Sequence, residues 1–222
     1  MIQIQQLDKV FQWDGEEIAI FSWLNFSLEK GDFISIVGPS GSGKSTFLNL
    51  ISWIDRDYSG SISLDCEKLE GLSDTAMTEF RWKNISYIFQ NFKLIENLTV
   101  RENIDLIVEL NHLERNFSTP EILDIVWLSS KIDTYVYHLS GGESQRVAIA
   151  RAFVGKTKIL LADEPTGALD NKNKKIIMDL ILTLHNKLQN TIILITHDNE
   201  VAALSNKVYK VEDASLIPFT EK

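Results

Sequence analysis

Apolar and polar positions alternate at the start of the chain, in Ile2-Gln3-Ile4, and again in Leu24-Asn25-Phe26-Ser27-Leu28. A period of two sends successive side chains to opposite faces of a strand, so both segments are expected in an antiparallel sheet with one solvated face. Phe33-Ile34-Ser35-Ile36-Val37 then runs straight into a glycine-rich loop. Beyond that loop the period changes. Phe47, Leu50, Ile51 and Ile54 fall at i, i+3, i+4 and i+7, which predicts a helix with one buried face. The same spacing recurs in Val147, Ala150, Arg151 and Val154, where an arginine occupies one contact position, and in Ile177, Leu180, Ile181, Leu184 and Leu188. The short runs Ile159–Ala162 and Ile192–Ile195 have the length of fully buried parallel strands.

Strand–loop–helix units at both ends of the chain imply an α/β core with a mostly parallel sheet. From about Asn91 to Phe153 the pattern is helical (Val100–Leu110, Pro120–Leu128), with little sign of strands. It reads as a helical subdomain, about 91–153, inserted into one domain spanning 1–222. Residues 1–90 and 154–222 then supply the core and the antiparallel β subdomain. The final strand is expected at Lys207–Val211, with the chain stopping soon after. The basic run Asn171–Lys175 opens an amphipathic helix and reads as a solvated face.

Composition narrows the functional classes. A chain of 222 residues with 44% hydrophobic and 24% charged positions can bury a full core. Its net charge is −9, and no basic stripe is evident, which argues against nucleic acid as a partner. The single cysteine, Cys66, excludes an intramolecular disulfide, fits a reducing compartment and is expected to have no chemical role. No apolar run approaches the roughly 18–20 residues of a membrane span. The opening residues lack the basic-then-apolar order of a signal segment. The expectation is a cytoplasmic chain that, if it works at a membrane, borrows its spans from other chains.

The run Gly38-Pro39-Ser40-Gly41-Ser42-Gly43-Lys44-Ser45-Thr46 matches the phosphate-loop pattern G-x-x-x-x-G-K-[ST] between a predicted strand and a predicted helix. Glycines let backbone N–H groups approach phosphate oxygens, and the helix that follows adds the positive end of its dipole. Lys44 would reach the β- and γ-phosphates, and the Ser45 hydroxyl would ligate Mg²⁺. A chance match in a chain this long is on the order of one in a hundred.

A second acidic element follows at Lys158-Ile159-Leu160-Leu161-Ala162-Asp163-Glu164, an apolar strand ending in two carboxylates. Ligands in open α/β sheets bind at the carboxyl ends of strands, so Asp163 is placed to hold the Mg²⁺ shell. Glu164 is placed to orient or deprotonate an attacking water, which favours a hydrolase over a phosphotransferase.

Leu139-Ser140-Gly141-Gly142-Glu143-Ser144-Gln145-Arg146 adds a second Ser-Gly-Gly turn opening a helix. Taken alone it is a good N-cap. One ATP needs one phosphate cradle per chain, so a second asks for a reason. Here the chain resembles the ABC ATPases along essentially its whole length. The octapeptide matches their signature motif, and the phosphate loop and Ile159–Glu164 match Walker A and Walker B. Tyr87-Ile88-Phe89-Gln90 matches the Q-loop, Ala168-Leu169-Asp170 the D-loop, and Thr196-His197-Asp198 the switch histidine.

The resemblance implies a P-loop NTPase of ABC fold with a RecA-like core, using ATP and Mg²⁺. It implies that two such subunits, in a homodimer, pack head to tail, so that Ser140, Gly141 and Gly142 of one cover the γ-phosphate held by the other. Lys44, Ser45, Gln90, Asp163, Glu164 and His197 would act in cis, Gln90 as a metal and water contact. Hydrolysis would then release the dimer. It also implies that membrane permease subunits dock near the Q-loop, where Phe92, Leu94 and Ile95 are apolar for a loop, and that the protein sits peripherally on the inner face of the cell membrane. The adenine-stacking position, commonly tyrosine, falls on Phe11. Tyr135–His138 and Thr157 replace frequent proline positions away from the chemistry, and His112, His138 and His185 match no motif.

Glu164–Asp170 and Leu98–Ile104 are similar to the branch that releases lipoproteins and exports macrolides and peptides, the MacB/LolD/FtsE-like ATPases. The alternatives are an importer ATPase, which often carries a C-terminal regulatory extension, or a non-transport ABC ATPase. The DNA-repair type of the latter carries long coiled coils and the translation type carries two cassettes. Neither feature is present in this sequence.

Overall fold

The computed structural model describes residues 1–65, 67–68 and 71–219, and Cys66 lies outside them. The chain divides into two units, residues 1–81 with 191–222 and residues 82–190.

In the first unit β1 (Ile2–Trp13) and β2 (Glu16–Leu28) form a long antiparallel hairpin about the Asp14-Gly15 turn, and β4 (Ser59–Leu64) pairs with the other edge of β1. The expected alternation is visible where Ile2 pairs with Leu28 and Ile4 with Phe26, all four side chains buried. Register shifts between Ile4 and Val10 break it further out, which is why the outer half of the hairpin carries no clear period-two signal. A two-residue strand β5 (Glu67–Lys68) adds to β4.

The same unit holds β3 (Phe33–Val37), all five residues buried, flanked in parallel by β8 (Thr191–Ile195) and β9 (Lys207–Glu212). A further strand, β10 (Ser215–Pro218), returns antiparallel to β9, so Lys207–Val211 is not the last strand. Asp213 and Ala214 both have positive φ, the backbone of a tight hairpin turn that the alanine side chain does not advertise.

Helix α1 (Lys44–Ile51) buries Phe47, Leu50 and Ile51 as expected, each worth about 1.5–3 kcal/mol when fully removed from water. Ile54 departs from the expectation. It lies beyond the helix end and is 60% exposed, because Trp53 turns left-handed (φ 52°) and its indole takes the buried place instead, edge-on to Phe80 at 5.4 Å. Helix α2 (Asp74–Asn84) ends in the second unit, which begins at residue 82.

The second unit pairs β6 (Ile85–Phe89) with β7 (Ile159–Asp163) in parallel, Ile85 opposite Ile159 and Phe89 opposite Asp163. Around them lie α3 (Val100–Asn111), α4 (Thr119–Ile125), α5 (Gly141–Val154) and α6 (Asn171–Leu188). The first three begin with capping boxes, Thr99 with Glu102, Ser118 with Glu121 and Ser140 with Glu143, each reciprocally satisfying two terminal donors. Helix α4 stops short of Leu128 because Trp127 adopts φ 56°. Among the described residues no helix is long and apolar enough to cross a membrane. The architecture is α/β, with a mostly parallel sheet and a separate antiparallel one.

Candidate functional site

In the first unit the chain leaves β3 at Val37 and wraps through Gly38–Gly43 before α1 begins at Lys44. Two glycines are required by space as well as conformation. A Cβ on Gly38 (φ 152°) would sit 2.9 Å from Ser42 Oγ, and one on Gly43 (φ 104°) would sit 2.6 Å from Ile20 Cγ2 on the hairpin. The loop is therefore backbone-lined, as a phosphate cradle must be. Lys44 Nζ donates to the carbonyl oxygens of Gly38 (2.9 Å) and Pro39 (2.7 Å), folded over the loop. Ser42 Oγ is buried without a hydrogen-bond partner among the described residues, a donor that a phosphate oxygen would satisfy. These features fit the phosphate groups of a nucleoside triphosphate. Ser40, Gly41 and Ser45 are exposed, and Thr46 is partly covered.

His197 follows β8, the strand next to β3, so it emerges at the same carboxyl edge as the phosphate loop. The Thr196 N–H donates to Ile36 O (3.2 Å), and its hydroxyl accepts from the Asp198 N–H (3.1 Å). The Asp198 carboxylate in turn caps the short helix α7 (Asn199–Ala202). His197 is thus an exposed side chain on a tightly held backbone.

Phe11 lies on the outer half of β1, opposite Ile18 and 42% exposed. Its strand partner is anchored on the phosphate-loop helix through Phe21, which packs edge-on to Phe47 at 5.9 Å.

In the second unit the register that sets Phe89 opposite Asp163 carries Gln90 and Glu164 to the ends of adjacent parallel strands. Glu164 takes a left-handed backbone (φ 48°), an uncommon state for a residue with a Cβ. The turn closes with the Gly167 N–H on Glu164 O (3.0 Å). A Cβ on Gly167 would lie 2.9 Å from Gln90 Nε2 and 3.5 Å from Glu164 Cβ, so the structure brings these three together. Buried Gln145 of α5 donates from Nε2 to Pro165 O (2.6 Å), tying the signature helix to the same turn.

Ser140 caps α5. Its Oγ accepts from the Glu143 N–H (3.3 Å) and donates to Glu143 Oε2 (2.9 Å). The Ser140 backbone N–H, donating at 2.9 Å, is the main cause that holds the Glu143 carboxyl below its ordinary 4.5. Asp170 caps α6 through the Asn173 N–H (2.8 Å), and that bond keeps its carboxyl low. A Cβ on Gly142 would come 2.8 Å from Asn173 Oδ1, so the signature turn lies against the first turn of α6 and a side chain at this position would have to displace the Asn173 amide.

No cluster of three or more His, Cys, Asp or Glu able to hold a metal occurs among the described residues. Within the second unit, Asp163 at the end of β7 and Gln90 just after the adjacent β6 offer a carboxylate and an amide, oxygen donors of the kind Mg²⁺ takes. The sequence alone assigns no role to Lys9, Gln145 or Asn173. Asn173 had a signal, since it lies at the capping distance from Asp170. In the sequence Arg151 reads only as a flaw in a helical stripe. Its Nη2 donates to Phe92 O (2.8 Å).

The ABC transporter family model matches residues 21–167. The ATP-binding protein YknY of Bacillus subtilis, described as an uncharacterized ABC transporter protein, is 38% identical over 221 residues, covering 98% of this chain and 96% of its own length. The macrolide export ATP-binding/permease protein MacB of Mannheimia succiniciproducens is 35% identical over 225 residues; all of this chain aligns with 35% of it. Among solved structures, the ATP-binding cassette MJ0796, as a dimer in a post-hydrolysis state with ADP and Pi, superposes with a TM-score of 0.86 at 33% identity, covering 100% of this chain and 99% of that one.

Proposed function

We infer, given that this chain belongs to the ABC transporter family and is an ATP-binding, ATP-hydrolysing subunit of it, that it works as one half of an ATP-closed homodimer driving a separate membrane permease. The observation that carries this reading is the signature turn. Ser140, Gly141 and Gly142 open a 14-residue helix at the surface, with Gly142 closed off by Asn173, while the chain's own phosphate cradle already stands before α1. A second copy supplies the phosphate that this turn would cover.

In this mechanism Lys44 exchanges the Gly38 and Pro39 carbonyls for β- and γ-phosphate oxygens. The backbone of Gly38–Gly43 and the Thr46 N–H wrap the phosphates, and Phe11 stacks on the adenine. Ser45, Gln90 and Asp163 would hold Mg²⁺, which would supply positive charge to neutralise the phosphate oxygens. Glu164 takes the proton of the attacking water, an effect worth about 10²–10⁴ in rate. His197 and Gln90 orient the γ-phosphate and the water, and Asp170 positions the facing subunit's site. Loss of the γ-phosphate removes the contact with Ser140 and Gly142 of the other copy, and the dimer opens.

The permease is assigned to a groove of the second unit. About 310 Å³ in volume, it is walled by Trp82, Ile85, Tyr87, Phe89, Ile107 and Leu113, with Lys93 and Arg151 among its lining residues. Of the residues that follow Gln90, Lys93 lines it, whereas Phe92, Leu94 and Ile95 do not. The exposed indole of Trp82 suits the apolar side of an incoming helix. Docking there would hold the protein at the inner membrane face. Alignment of the whole chain with the ATP-binding/permease protein MacB supports the export or lipoprotein-release branch. The test is Trp82→Glu in a complex reconstituted with the permease that the wild-type chain binds. ATPase activity of the isolated chain should persist while stimulation by the permease is lost; retained stimulation would remove the groove from this role.

A further inference from the structure

We propose that Lys9 is a positioning residue for the base-stacking ring of Phe11, an inference that rests on the reading of Phe11 as the adenine platform. Lys9 is 2% exposed, an unusual place for an ammonium group. Its Nζ is fixed by Asp55 Oδ1 (3.0 Å), by Asp57 O (2.6 Å) and by Asp57 Oδ2 (3.3 Å). From that position it stands 4.6 Å from the centroid of the Phe11 ring. Attraction between the cation and the ring's negative face favours one placement of a side chain that the exposed outer hairpin would otherwise leave free to change rotamer.

The partners of Lys9 explain why this matters for nucleotide binding. Asp55 and Asp57 follow directly after α1, the helix that begins at the phosphate loop. Lys9 also pairs across the hairpin with Phe21, which packs on Phe47 of that helix. The stacking ring and the phosphate loop are therefore registered to each other through one buried cation. A cation against one face of the ring leaves the other face for a purine, and draws electron density in the sense that favours an electron-rich base.

The experiment compares Mg-ATP with Mg-tripolyphosphate, which lacks base and sugar, by calorimetry on the isolated chain. Lys9→Met should weaken ATP on the order of three- to tenfold while tripolyphosphate is unchanged. In a Phe11→Ala background the same substitution should have no further effect on ATP, and Lys9→Arg should restore affinity. Equal loss with both probes, or a further loss in the Phe11→Ala background, would overturn the positioning role and leave Lys9 a structural residue. If Phe11→Ala alone leaves ATP affinity unchanged, the platform reading fails first and the Lys9 proposal falls with it. Should Lys9→Met not fold, Lys9→Met with Asp55→Asn, which removes the stranded carboxylate, is measured against the same two probes.

Discussion

Arg151 Nη1 donates a 2.6 Å hydrogen bond to the carbonyl oxygen of Lys93. Lys93 and the preceding Phe92 both have positive φ, 49° and 54°, so a guanidinium from the signature helix holds two consecutive left-handed residues of the Q-loop. Burial draws the Arg151 pKa down from its usual value, yet a guanidinium remains charged. The Phe92 ring lies 3.8 Å from where a Cβ on Gly141 would stand, so the loop also touches the start of the signature helix. Arg151→Met should cost about 2 kcal/mol in denaturant unfolding, because two charge-assisted bonds are lost. It should also lower ATPase turnover more than ATP affinity, measured as kcat against KM.

Gly43→Ala tests the link between hairpin and phosphate loop. The added Cβ meets Ile20 Cγ2 at 2.6 Å and the backbone is left-handed, so loop or hairpin must move. ATP affinity in calorimetry should fall by more than tenfold, with a loss of about 1–3 kcal/mol in stability. Gly43→Ala with Ile20→Ala should recover stability in part but not the left-handed strain.

Ser140 has two jobs, and they can be separated. As the N-cap of α5 it engages Glu143, so Ser140→Ala should cost about 1 kcal/mol in chemical unfolding. Ser140→Arg carries the same lost cap and adds bulk on the exposed turn. Under the proposed arrangement it abolishes hydrolysis while ATP binding to the monomer, followed by calorimetry, stays within a few-fold of the parent.

The capping carboxylates set an acid limit. Hydrogen bonds from Thr99, Ser118 and Ser140 hold Glu102, Glu121 and Glu143 below 4.5, and Asn173 does the same for Asp170 relative to 3.8. A carboxyl whose folded pKa is depressed contributes stability that is present above its unfolded pKa and lost as pH falls through the folded one. The melting temperature should therefore drop as pH is lowered from about 5. The triple variant Glu102→Gln, Glu121→Gln, Glu143→Gln should show a shallower drop. Lys207, raised above 10.5 mainly by its bond to Asp32, acts oppositely: its contribution is full below 10.5 and fades at higher pH.

Much of this is legible in the amino-acid sequence. Helices α5 and α6 and the buried strands β3, β7 and β8 follow from period and length, because burial on one stripe or on both faces leaves a strong pattern. What escaped is governed by single backbone angles. Trp53 and Trp127 end helices by turning left-handed, and Asp213-Ala214 reverse the chain into β10, although neither tryptophan nor alanine signals a positive φ. The motif residues were legible because each is a distinct chemical type at a fixed spacing. Their supports are not, since Lys9, Gln145 and Arg151 act through contacts with residues far along the chain. A buried lysine reads in sequence as one more surface charge.

The head-to-tail homodimer is tested most directly by sedimentation of Glu164→Gln with and without ATP. This variant keeps the phosphate loop and the signature turn but lacks the carboxylate assigned to the attacking water. It should sediment as a monomer alone and as a particle of twice the mass with ATP and Mg²⁺, and adding Ser140→Arg should return it to a monomer that still binds ATP. A monomer under every condition, or a dimer indifferent to ATP and to Ser140→Arg, would contradict the assignment of the signature turn to a facing copy.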